Sequence, residues 1–74
     1  MTKKECLARE IKIARAKKGF TQTDLAEASG VAKITIAFIE MKKNDKMPSV
    51  STVVKLAKAL DLNQDRLLKY LSKI

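Results

Sequence analysis

Residues 21–40 constrain this chain most. They read Thr21-Gln22-Thr23-Asp24-Leu25-Ala26-Glu27-Ala28-Ser29-Gly30-Val31-Ala32-Lys33-Ile34-Thr35-Ile36-Ala37-Phe38-Ile39-Glu40. Thr21 can cap a short helix over about 21–28, with Asp24 returning the bond three residues on as in a capping box. Gly30, between Ser29 and Val31, supplies the left-handed backbone that a sharp corner needs. A second short helix then follows over about 32–41. Leu25 and Ala26 point inward, and Ala26 is small enough to let that second helix approach closely.

The rest of the chain limits what such a corner can belong to. At 74 residues it is expected to form one domain, 1–74, with a modest core. It has no histidine and one cysteine, which excludes a zinc site or a disulfide framework within one chain. Lone Cys6 suits a reducing compartment. The apolar run of 31–41 is interrupted by Lys33 and is too short to span a membrane. The first residues lack the continuous apolar core of a signal peptide. A soluble cytoplasmic protein without membrane contact is therefore expected. There is no histidine base, no glycine-rich phosphate loop and no carboxylate pair facing a shared cavity, so no enzyme, metal or cofactor is expected. Asp24 and Glu27 serve first-turn and surface roles in their helix.

The net charge is +8, and its distribution is informative. Residues 1–20 carry seven basic and two acidic groups, a net +5. Residues 21–40 carry one basic and three acidic groups, a net −2. Residues 41–58 carry five lysines and one aspartate, a net +4, and residues 59–74 are close to balance at +1. Cations thus flank the two-helix corner on both sides. That arrangement suits nucleic-acid phosphates, which attract cations without reading sequence. Two helices bent as in 21–40 can also lay the second into a DNA major groove.

Further helices surround the corner. A first helix begins at Thr2, with Glu5 as capping-box partner, and Leu7, Ile11 and Ala14 form its inward stripe. Arg15 falls on the same face. Lys17 and Lys18 suit the helix end, Gly19 stops it, and Phe20 returns to the core. Cys6 and Ile13 lie on its outer side. After the polar loop 42–46, Pro48 precedes a helix capped by Ser49. Val53, Leu56, Ala57 and Leu60 stand at i, i+3, i+4 and i+7 on that helix. The chain breaks at Asp61 or Asn63, and Asn63 is the natural cap of a fifth helix striped by Leu67, Tyr70, Leu71 and Ile74. Lys55, Lys58, Lys69 and Lys73 read as solvated surface. The expected architecture is all-α, a compact five-helix bundle.

Gly19-Phe20-Thr21-Gln22, Leu25-Ala26, Gly30-Val31, Ile36, Ile39-Glu40, Pro48-Ser49 and Lys55-Leu56-Ala57-Lys58-Ala59-Leu60 stand in the order found in a known family. The chain resembles phage repressor and Cro-type (lambda-repressor-like) helix-turn-helix domains over about residues 9–70. The resemblance implies a transcriptional regulator of double-stranded DNA, often a repressor working as a homodimer on a two-fold operator. It implies that Gln22, next to the capping Thr21, contacts a phosphate. Lys33, Ile34 and Phe38 match positions that read base edges, and Thr35 one that touches the backbone. Lys42, Lys43, Asn44 and Lys46 occupy the loop that holds the DNA backbone. Arg15 and Glu40 match a partly buried ion pair, and their spacing independently puts both on core faces. The C-terminal segment often pairs in the family, so Leu68, Tyr70, Leu71 and Ile74 are candidate dimer contacts. Tyr70, Leu71 and Ile74 equally suit the monomer's own core, while Leu68 points to a different side.

Two features depart from the family pattern. No glycine follows Glu40, so the third helix either runs on or ends with Asn44 in the left-handed position. The outer side of that helix, Ile34, Ala37, Phe38 and Met41, is apolar and carries no arginine, the commonest partner of guanine. Ile34 and Phe38 could press on thymine methyl groups, with specificity leaning on shape and backbone contacts. The same face could instead meet a protein partner, as in an antitoxin-like or anti-repressor module. A third reading has the DNA read only weakly.

Overall fold

The computed structural model describes residues 2–41, 43 and 46–72. Among them the only regular structure is helical: α1 (Lys3–Lys17), α2 (Gln22–Ser29), α3 (Lys33–Glu40), α4 (Val50–Leu60) and α5 (Gln64–Leu68), followed by a single 3₁₀ turn (Lys69–Leu71). The all-helical, five-helix reading of the sequence is correct, and the element boundaries agree to within a residue or two. The exception is the fifth helix, which stops at Leu68 and tightens into the 3₁₀ turn.

Local chemistry accounts for most of these boundaries. Thr2 accepts the Glu5 N–H at 3.1 Å, and Glu5 Oε1 accepts the Thr2 N–H at 3.1 Å, closing a capping box. Gly19 then takes φ 70° just beyond the end of α1. Ser49 caps α4 through the Thr52 N–H, and Asn63 Oδ1 accepts from Asp65 and Arg66 at the start of α5. Asp61 sits between them with φ 56°, an uncommon but tolerated left-handed aspartate.

The helices enclose one core. Leu7 and Ile11 from α1, Leu25 from α2, Ile36 from α3, Val53 and Leu56 from α4 and Leu67 from α5 are fully buried. Packing of α1 on α3 and α4, of α2 on α3 and α4, and of α4 on α5 joins these side chains into one cluster. The α4 stripe is buried throughout: Val53, Leu56, Ala57 and Leu60 stand on one face at helical spacing, and burying such a face is the main drive for a short helix. Phe20, Tyr70 and Leu71 pack on the cluster's rim. Leu68 does too; it is half-buried rather than turned away on a separate side. Cys6 is also half-buried, so only Ile13 of the Cys6 and Ile13 pair is well exposed. Lys55, Lys58 and Lys69 are exposed, while Ile74 and Lys73 lie outside the described residues.

Candidate nucleic-acid interface

The corner between α2 and α3 is built from four adjoining devices. Thr21 caps α2: its hydroxyl oxygen accepts the Asp24 N–H at 3.0 Å, and Asp24 Oδ2 accepts the Thr21 N–H at 2.9 Å. Ser29 Oγ donates to the Leu25 carbonyl at 2.7 Å and accepts the Val31 N–H at 3.1 Å. Gly30 closes α2 at φ 75°, its N–H on the Ala26 carbonyl at 2.9 Å. Val31, buried at the turn, anchors the corner to the core.

The first of these devices is sensitive to pH. The Thr21 backbone N–H, and then its side chain, hold the Asp24 carboxyl below the ordinary value of 3.8. A depressed carboxylate contributes stability that is complete above its unfolded value and is lost as pH falls through the folded one. In a denaturant titration repeated between about pH 5 and pH 2, wild type should lose its small advantage over Asp24→Asn as the solution becomes acidic. A gap that stays constant over that range would deny the carboxylate this role.

An ion pair sets how α3 lies against the rest. The Arg15 guanidinium donates from Nε to Glu40 Oε2 at 2.8 Å and from Nη2 to Glu40 Oε1 at 3.0 Å. Its Nη1 donates to the Phe20 carbonyl at 2.8 Å. The Arg15 side chain is 17% exposed and that of Glu40 5%. The bond to Glu40 raises the Arg15 pKa, so the guanidinium stays charged at any pH at which the protein folds. Gln22 Nε2 also donates to Glu40 Oε1, at 3.3 Å. One carboxylate therefore gathers the end of α1, the start of α2 and the end of α3. By contrast, Lys18–Asp61 and Arg66–Glu10 each include a largely exposed partner and contribute little.

Sequence reasoning missed Lys4. It is 3% exposed although it stands near the chain's start on a helix otherwise rich in exposed lysines. Its Nζ donates to the Phe38 carbonyl at 3.2 Å and to the Met41 carbonyl at 3.1 Å. Those are carbonyls at the C-terminal end of α3, which a glycine cap or a further turn would otherwise satisfy. The ammonium thus replaces the missing glycine and suits the negative end of the helix dipole. As a result α3 stops at Glu40, with Met41 extended at φ −79° and ψ 118°, rather than running on. Asn44 lies outside the described residues. Helical spacing does mark this lysine, which stands three residues before Leu7 and seven before Ile11 on the inward stripe; only its charge makes position 4 read as solvated.

The other face of α3 is open. Ile36 and Ile39 are buried, whereas Ile34 is 65% exposed and Phe38 and Met41 are each 49% exposed. These three stand at i, i+4 and i+7, one apolar stripe on the solvent side. Lys33 is exposed at the start of α3, which lacks a side-chain cap. Thr35 is half-buried and lines a shallow groove of about 320 Å³ with Phe38, Ile39, Lys46, Met47 and Pro48. Thr21 is exposed at the start of α2. Gln22 is half-buried against Glu40. Lys43 and Lys46 are exposed beyond α3, while Lys42 lies outside the described residues.

A bundle with this corner, an open outer helix and cations on either side has the form of a DNA-reading domain. A family model described as helix-turn-helix matches residues 11–72. The chain belongs to that helix-turn-helix family, of the Cro/C1 type, whose members are DNA-binding transcription regulators. No curated protein matches the chain. Among the described residues no helix is long and apolar enough to cross a membrane.

Proposed function

We propose that this protein is a cytoplasmic, sequence-specific regulator that binds double-stranded DNA as a homodimer on a two-fold operator and acts as a repressor. One observation carries the reading: the outer side of α3 is free while its inner side is locked into the core. Ile34 and Phe38 are exposed, and Ile36 and Ile39 on the same helix are buried. Only such a helix can enter a groove without dismantling its own bundle. Thr21 and Gln22 anchor one phosphate strand from the start of α2, and Lys42, Lys43, Asn44 and Lys46 hold the backbone beyond α3. Lys33, Ile34, Thr35 and Phe38 occupy the major groove. Two-fold pairing through the C-terminal residues Leu68, Tyr70, Leu71 and Ile74 sets half-sites one helical turn apart, about 34 Å. Occupying an operator in this way excludes other proteins from it, which is repression.

Selection of bound duplexes from a random pool tests binding and symmetry together: an enriched inverted repeat is the expected result. A salt series on the selected duplex then measures phosphate contacts. Affinity should fall steeply as salt rises, and Lys43→Ala should flatten the log–log slope by about one unit. An exposed apolar stripe also fits a protein partner. That second reading replaces the first if no duplex is enriched and binding to DNA is absent at low salt.

A further inference from the structure

We infer, building on the DNA-binding reading, that α3 reads its operator chiefly through thymine C5-methyl groups, with Ile34 and Phe38 as the two residues that sense them. The major groove offers a protein hydrogen-bonding edges and one apolar feature, the thymine methyl. On the exposed side of α3 the side chains best placed to enter a groove are a leading lysine and a stripe of Ile34, Phe38 and Met41. Thr35, the other polar group beyond Lys33, is half-buried toward the groove it lines with Met47 and Pro48. Glu40, which could accept from cytosine, is taken by Arg15 and Gln22. Guanine and adenine edges therefore find few bidentate partners, while a methyl group finds two apolar ones.

The occupant follows from charge as well as shape. The exposed stripe has an exposed lysine, Lys33, at its start and exposed Lys43 and Lys46 beyond its end, and cations about an apolar stripe complement an anionic surface with an apolar floor, as a thymine-bearing groove presents. Ile34 and Phe38 stand four residues apart, about 6 Å along the helix at 1.5 Å per residue. That distance is close to two base-pair steps of about 3.4 Å. The two sensed thymines in each half-site are thus expected roughly two base pairs apart.

The test replaces each thymine of the pool-selected duplex, one at a time, with deoxyuridine. This removes the methyl group and leaves the pairing face and every phosphate in place. Anisotropy titrations should show affinity about fourfold weaker at one or two positions per half-site, the effect of losing one buried methyl. The salt slope should not change, because no phosphate contact is altered. Ile34→Ala and Phe38→Ala should each lose the response to deoxyuridine at one position, while Lys43→Ala keeps both responses. Both side chains are exposed, so far-UV circular dichroism of these variants should match wild type. A duplex bound with sequence preference yet indifferent to deoxyuridine at every thymine overturns methyl reading and leaves the DNA-binding reading intact. Enrichment of no duplex overturns both.

Discussion

Arg15→Ala is expected to destabilise the protein by about 3 kcal/mol, the low end of what breaking a buried ion pair costs. The low end applies because the Arg15 side chain keeps 17% exposure. The larger part of the penalty comes from Glu40, whose side chain is 5% exposed and which, among the described residues, retains only the Gln22 amide as a partner once the guanidinium is gone. The Phe20 carbonyl loses its donor in the same step. In a chain of this length such a loss lowers Tm by roughly 12–24 °C. Thermal and denaturant melts of Arg15→Ala, Glu40→Ala and the double variant Arg15→Met with Glu40→Leu measure it. The double variant should recover most of the stability, because apolar replacement of both charges strands neither. A single variant within about 0.5 kcal/mol of wild type would show that water reaches the pair freely. The consequence for function is orientational: Glu40 joins three helix ends, so Glu40→Ala should weaken duplex binding even under conditions where the domain remains folded.

Lys4→Met is expected to destabilise by about 2 kcal/mol, within the range for hydrogen bonds to a charged group. Methionine keeps the buried aliphatic stem and removes only the ammonium. The Phe38 and Met41 carbonyls then lose that donor at the end of α3. The effect should be concentrated there. Native-state hydrogen exchange should quicken at the Met41 amide, which bonds the Phe38 carbonyl at a long 3.3 Å, and stay near wild type in the centre of α4. Uniformly faster exchange across the bundle would assign Lys4 to general packing rather than to capping α3. Because the segment beyond α3 carries Lys43 and Lys46, the same variant should reduce affinity for duplex DNA without changing which sequence is preferred.

Much of this fold was legible in the sequence because its signals are local. Capping at Thr2, Thr21, Ser49 and Asn63 acts within three residues of chain, and the left-handed Gly30 acts within one. The α4 stripe of Val53, Leu56, Ala57 and Leu60 is a property of helical periodicity alone. Arg15 and Glu40 are 25 residues apart, yet each announces itself by placing a charge on an apolar face. The outer face of α3 was legible on the same ground, since burial of Ile36 and Ile39 turns Ile34 and Phe38 outward.

What the tertiary structure alone decided concerns contacts between residues that no pattern links. Lys4 meets carbonyls 34 and 37 positions away; its place on the stripe of Leu7 and Ile11 marks its face, but nothing in the sequence names those partners. The end of α3 was undetermined from sequence because a helix terminus can be satisfied by any donor the fold brings near. Leu68, the last residue of α5, packs on the rim of the core instead of turning away, which follows from where α5 comes to rest against α4. Local geometry follows from bonds to near neighbours, which the order of residues specifies directly. Long-range satisfaction of polar groups follows from where whole helices come to rest, which only the packed core determines.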